Sequence, residues 1–173
     1  MGESAMANTR GDTQYLDPVT RKIVHEWIKR ERYDGIPWNP LRKPLAECKV
    51  SIISSAAVVE KGDTPFDREG EKRNPWWGDP THRVLTADIL TGDVDIDHMH
   101  IDTRPAMRDL NCVLPLGPLA DLQKDGVVGE VAEHHYSIMG YILKTERLLE
   151  ETAPKIIEAL KADEVDLALL VPV

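Results

Sequence analysis

Apolar positions first recur with a helical period. Val19, Ile23 and Trp27 lie at i, i+4 and i+8, with Val24 and Ile28 widening the stripe. Asp17 can cap this helix with Pro18 at its first position, and Gly35 lies just past its end. The spacing predicts a helix packed on the domain, followed by the proline-punctuated connector "GIPWNPLRKPL". The period then shortens. "CKVSIISSAAVV" predicts a strand from Lys49 to Ser55, breaking into the small residues Ser54 to Ala57. Residues 60–82 are polar and predict a long loop, of the kind that is more often functional or mobile than mere connection. The adjacent Trp76 and Trp77 are candidates to anchor that loop or to reach a ligand.

"HRVLTADI" and "DVDIDHMHI" predict a second and a third strand, and "GPLADLQKDG" a short helix stopped by Gly126. "VVGEVAEHHYSIMGY" reads as a strand or turn feeding a helix over "ILKTERLLEETAPKIIEALKAD", where Pro154 predicts a kink or two helices meeting near Thr152. "EVDLALLVPV" closes the pattern with a nearly unbroken apolar run, expected to be a strand buried on both faces. Helix followed by strand near the end, with a strand near residue 50, predicts an α/β fold: three layers, a mainly parallel sheet flanked by helices. The expected organisation is a flexible tail over residues 1–15 and a single α/β domain over 16–173.

Composition narrows the function classes. A chain of 173 residues with 42% hydrophobic and 29% charged content is expected to be globular. A net charge of −9 disfavours nucleic acid or an anionic membrane as partner. No stretch approaches the roughly 20 apolar residues that span a bilayer. The opening "MGESAMANTRGDTQ" lacks the apolar core of a secretory signal, and two cysteines, Cys48 and Cys112, make no disulfide framework. The expected compartment is the cytoplasm.

Candidate chemistry concentrates in "DIDHMHIDTRPAMRDLNCVLP". On a strand, His98, His100 and Asp102 would share one face, suited to binding a metal or to polarising an anionic substrate. The other reading is a solvent-exposed strand face with Met99 and Ile101 turned inward. Local spacing fixes no further metal ligand, so no metal is assigned. His134 and His135 point opposite ways on an extended segment, so one of them is expected to be structural. Tyr136 and Ser137 offer hydroxyls to a ligand or to the core. Arg104 and Arg108 suit a carboxylate clamp, or plain pairing with Asp102 or Asp109. Asp109 and Asn111 read as capping or binding residues, and Cys112 as a small buried hydrophobe.

The segment "DHMHIDTRPAMRDLNCVLPLGPLADLQKDGVVGEVAEHHYSIMG" resembles the selenoprotein B family of glycine, sarcosine, betaine and D-proline reductases, particularly its short single-domain relatives. His98, His100 and Asp102, then Asp109, Asn111, Pro115, Leu119, Leu122, Gly126, Gly129, Tyr136, Ser137 and Gly140, carry the resemblance. With "WNPLRKPLAECKVSIISSAAV" upstream and "APKIIEALKADEVDLALLVPV" downstream it covers about residues 36–173.

The resemblance implies a selenol- or thiol-dependent reductase component that cleaves a carbon–nitrogen bond of a small amino acid or amine. Electrons would come from a dithiol or a thioredoxin-like donor. His98, His100 and Asp102 are the expected catalytic edge, and Asp109, Asn111, Tyr136 and Ser137 the expected substrate contacts. In the family the strand resembling "VDLALLVPV" runs into a selenocysteine or cysteine, followed by a further helix and strand. The expectation is therefore selenocysteine immediately after Val173, encoded by UGA and read as stop, with no other cofactor assigned. The alternatives are a shortened paralogue that keeps binding without catalysis, or a subunit that binds metal through the His/Asp face. An exposed terminal strand is compatible with a homo-oligomer.

Overall fold

The computed structural model describes residues 16–30, 39–74 and 76–173, which fall in two compact units, 1–40 and 41–173. The tail expected over residues 1–15 and the stop expected at Gly35 lie outside the described residues.

In the first unit, helix α1 spans Pro18–Arg30. Asp17 starts it: Oδ1 accepts the backbone N–H groups of Val19 at 2.9 Å and Thr20 at 3.1 Å, satisfying donors that the first turn leaves open. Hydrogen bonding from Thr20, by its side chain first and then its backbone, holds the Asp17 carboxyl below its usual value.

The second unit is built around strand β1, Lys49–Ser54. Val50 and Ile52 are buried on one face and Ser51 on the other. The two serines of this strand are buried with partners: Ser51 Oγ donates to the His134 carbonyl at 2.8 Å, and Ser54 Oγ to that of Val113 at 2.7 Å. β1 pairs in parallel with β5 (Glu130–Val131) at its start, β6 (His134–Ile138) at its end, and β7 (Leu167–Val171) along Val50–Ser54. Val50 faces both Val131 and Leu167, and a strand has two edges, so β5 and β6 share one edge of β1 and β7 occupies the other. β3 (His82–Thr86) lies antiparallel on β6. Strands β2 (Val58–Glu60) and β4 (Val94–Ile96) form a separate antiparallel pair.

The sheet is thus mainly parallel and flanked by helices, the α/β fold expected. Helix α3 (Leu116–Lys124) buries Leu116 and Leu119, and Gly126 follows it at φ +71°, a conformation that glycine adopts without a Cβ penalty. Helix α4 (Ala153–Ala162) is preceded by a widened turn over Leu148–Thr152 in which Ala153 N–H reaches back to Leu148 O. Pro154 lacks the N–H that a regular turn would use, so the irregularity falls where the proline predicts it. The main core gathers Val50, Ile52, Leu85, Val94, Leu110, Leu114 and Leu119. Each such side chain contributes about 1.5–3 kcal/mol on burial.

Three expectations are corrected. β7 is an edge strand rather than one buried on both faces: Leu169 is 42% and Leu170 68% exposed. Its apolar run pairs with β1, but no further strand is hydrogen-bonded beyond it among the described residues. The third strand ends at Ile96, so "DHMHI" is not extended. Cys112 is exposed, because the short 3₁₀ turn Leu110–Cys112 directs Leu110 inward and leaves the cysteine outside.

The polar segment 60–82 is anchored instead of loose. It contains helix α2, Arg68–Arg73, capped by Asp67 Oδ1 accepting from Gly70 N–H at 2.8 Å. Arg83 sits beneath it, 8% exposed, donating to the carbonyls of Thr64, Pro65 and His82 and to Thr81 Oγ1, with its guanidinium 4.2 Å over the Phe66 ring. Trp77 packs on Gly70, whose missing Cβ leaves room for the indole, while Trp76 is exposed. No helix among the described residues is long and apolar enough to cross a membrane.

Candidate active site at the carboxyl ends of the strands

Ligands of open α/β sheets bind just past the carboxyl ends of the parallel strands. Here β1, β6 and β7 deliver Ser55, Gly140 and Val173 to one place. Val173 N–H donates to Ser55 Oγ at 2.9 Å, and Ser55 N–H to Val171 O at 3.0 Å. A Cβ on Gly140 would lie 2.8 Å from the Ser55 carbonyl oxygen, 3.0 Å from that of Val173 and 2.8 Å from Nε2 of His98. Only a residue without a side chain lets these groups close on one another.

His98 reaches this point from a turn. After β4, Asp97 N–H donates to Ala57 O at 2.9 Å, and the buried Asp97 carboxylate accepts Phe66 N–H at 2.9 Å, with Arg68 3.6 Å away. His98 is 6% exposed, and its Nδ1 accepts the backbone N–H of His100 at 3.1 Å. An accepting Nδ1 places the proton of the neutral ring on Nε2, which faces Gly140. Burial, and then the neighbouring His100, hold the His98 pKa below its usual value.

The rings of His98 and His100 meet edge to face, 6.1 Å between centroids, and His100 lies 4.1 Å from the Tyr141 ring. The two histidines therefore come together, though by a turn and not by sharing a strand face. Asp102 does not join them in a ligand set. It accepts from the backbone and guanidinium of Arg104, whose bonds lower its pKa. That contact also explains Arg104 without a clamp. Among the described residues no three His, Cys, Asp or Glu side chains assemble as a metal site, and the strand face that suggested one is not formed.

The other candidates have local roles. Asp109 Oδ1 accepts the backbone and side-chain N–H groups of Asn111, whose Oδ1 accepts Gly117 N–H, so the pair fastens the turn entering α3. Tyr136 is buried beside His82, and burial raises its pKa. Ser137 Oγ accepts Val58 N–H at 2.7 Å, tying β6 to β2. His134 pairs with Asp163 at 2.8 Å, and His135 is the structural member of the pair.

Clefts are found elsewhere. One is lined by Ile89, Leu90, Leu110, Asn111 and Leu116; another, at the amino ends of the strands, by Lys43, Lys49, Glu130, Glu164 and Asp166. Neither includes His98. The first is mostly apolar and the second carries self-compensating charge, so the converging polar groups past the carboxyl ends are the better candidate. The sequence reading missed Ser55 and the buried Glu71, whose Oε1 lies 2.6 Å from His100 Nε2. Nothing in the polar run "REGEKRN" marks that glutamate as buried.

Comparison with known proteins bears on the whole chain. The family described as glycine/sarcosine/betaine reductase selenoprotein B matches residues 6–172. The D-proline reductase subunit gamma of Acetoanaerobium sticklandii is 30% identical over 77% of this chain and 52% of its own length. The sarcosine reductase complex component B subunit beta of Peptoclostridium acidaminophilum is 29% identical over 76% of this chain and 30% of its own. The glycine reductase complex component B subunit gamma of Symbiobacterium thermophilum is 26% identical over 96% of this chain and 39% of its own. The chain thus spans between about a third and a half of these curated relatives. No solved structure matches.

Proposed function

The chain belongs to the glycine/sarcosine/betaine reductase selenoprotein B family, and from that premise we propose that it is a component of a selenol- or thiol-dependent reductase acting on a small amino acid or amine. The relatives are named as subunits of reductase complexes, and membership of such a complex is part of the reading. The redox residue, selenocysteine or cysteine, falls immediately after Val173. The observation that carries this is the meeting of Val173 with Ser55, Gly140 and His98 past the carboxyl ends of the strands. A nucleophile attached there starts beside a buried imidazole.

The reaction is a two-electron reduction. Two thiols of the donor become a disulfide and release two electrons and two protons. The carbon–nitrogen bond breaks, carbon gains one hydrogen, and the departing nitrogen gains the other. A selenolate or thiolate is the attacking group, and a second thiol resolves its adduct. His98, neutral with its proton on Nε2, is suited to donating a hydrogen bond to the leaving nitrogen, whose new proton is one of the two that the dithiol releases. Asp102 remains a candidate for the outer edge of the site, and Asp109, Asn111, Tyr136 and Ser137 hold the scaffold around it.

The test is a protein continued through position 174 with cysteine there, incubated with a dithiol and separately with glycine, sarcosine, betaine and D-proline. Dithiol oxidation matched by amine or ammonia release supports the reading. For D-proline the ring opens, so formation of the linear amine is followed instead. No turnover with any of these, alone or with the partner subunits of a related complex, overturns it.

A further inference from the structure

Glu71 belongs to α2, far from the His-rich segment in sequence, yet its side chain is 3% exposed. Both carboxylate oxygens are buried, and neither receives an aligned hydrogen bond. The basic side chain beside it among the described ion pairs is His100, whose Nε2 lies 2.6 Å from Oε1. That is a close contact whose N–H points off the line to the oxygen. Burying a carboxylate without a partner costs several kcal/mol. Arg68, on the same helix, is turned towards Asp97 instead. Glu71 therefore depends on His100, and His100 is held by it from one side, by Tyr141 across the ring, and by His98 at its backbone N–H.

We propose that Glu71 is a positioning residue of the reductase site, fixing the ring and tautomer of His100 so that the two imidazoles carry opposite roles. This rests on the reading that the site lies past the carboxyl ends of the strands. A carboxylate oxygen 2.6 Å from Nε2 disfavours a lone pair there, so neutral His100 keeps its proton on Nε2 and its lone pair on Nδ1, and is the proton acceptor. His98, whose Nδ1 is occupied by a backbone N–H, keeps a proton on Nε2 and is the hydrogen-bond donor. The two protons released by the dithiol are those that carbon and nitrogen gain. His100 takes up one at Nδ1, with Glu71 balancing the imidazolium, and passes it to the leaving nitrogen, while the other reaches carbon by way of solvent. His98 donates a hydrogen bond from Nε2 and keeps its proton. The backbone contact from His100 N–H to His98 Nδ1 fixes the relative placement of donor and acceptor.

The test uses the whole chain labelled with nitrogen-15 at histidine, read by nitrogen chemical shifts of the two rings. In the unaltered protein the neutral His100 signal is expected to report a proton on Nε2. Glu71→Gln is expected to move it to a mixture of tautomers while the His98 signal stays, and Glu71→Asp is expected to restore it in part. In the protein carrying the position-174 residue, Glu71→Gln is expected to lower kcat roughly tenfold or more, with KM nearly unchanged. Amide spectra of Ile52 and Gly140 check that the fold is kept. An unchanged His100 tautomer in Glu71→Gln overturns the proposal, whether or not turnover is found; loss of turnover in every variant, with the tautomer moving as expected, overturns the reductase reading alone.

Discussion

Ile52 donates its backbone N–H to Nδ1 of His135 at 2.9 Å, an imidazole standing where a neighbouring strand would offer a carbonyl. β5 and β6 are two short pieces separated by Ala132 and Glu133, and the side chain fills the gap in the β1 ladder. His135 is fully buried, and its pKa is lowered to about 4, first by burial and then by His134.

A pH dependence of stability follows. The unfolded imidazole titrates near 6.5 and the folded one near 4, so the contribution is complete above 6.5 and is lost as pH falls towards 4. The expected loss is roughly 3 kcal/mol, since about 1.4 kcal/mol accompanies each pKa unit. His82 and His98 shift in the same direction and add to it. Urea unfolding across that range measures the slope, and His135→Asn, which offers an oxygen to Ile52, is expected to flatten it. A slope equal to that of the unaltered protein would assign the effect to other groups.

Gly140→Ala is expected to destabilise the domain by about 1–3 kcal/mol, as overpacking does. The new methyl meets two carbonyl oxygens and the His98 ring at 2.8–3.0 Å. The His98 ring resonances should move with it. Unfolding at the wild-type denaturant concentration, with unmoved His98 signals, would contradict the close approach described.

Arg83→Ala removes donors to three carbonyls and one hydroxyl at once. Each such hydrogen bond contributes about 0.5–1.5 kcal/mol net, so losing all four is expected to cost about 2 kcal/mol or more. Brief proteolysis with mass-spectrometric mapping should show new cleavage within residues 61–81. Resistance equal to that of the unaltered protein would mean that the segment is held by other contacts.

Asp109→Ala is expected to cost about 1 kcal/mol, the ordinary effect of losing a cap. If the residue is confined to fastening the turn before α3, turnover at saturating substrate should be unchanged. A raised KM would instead give it the substrate contact that the resemblance implies.

Apolar periodicity made much of the fold legible. The runs at β1, α3, α4 and β7 each match an element, and Pro154 marked its irregular turn. What stayed hidden depends on contacts distant in sequence. No pattern announces that His135 will complete a ladder, because its role arises from the gap between β5 and β6. The proximity of His98 and His100 was expected for a strand, but Asp97 is drawn to the distant Phe66 N–H and His98 Nδ1 holds the His100 N–H in a turn, while Asp102 pairs with Arg104. Glu71 was illegible because a buried carboxylate in a polar run differs from an exposed one only by what packs above it.

Ala57 follows β1 with φ +53°, an unusual value for a residue bearing a Cβ. Its N–H holds Ile138 O, two residues before Gly140, and its carbonyl holds Asp97 N–H, one residue before His98. The two walls of the site thus hang from a single residue. The spacing of imidazole and glycine is therefore set through one residue, whose two backbone hydrogen bonds tie the His98 turn to the end of β6.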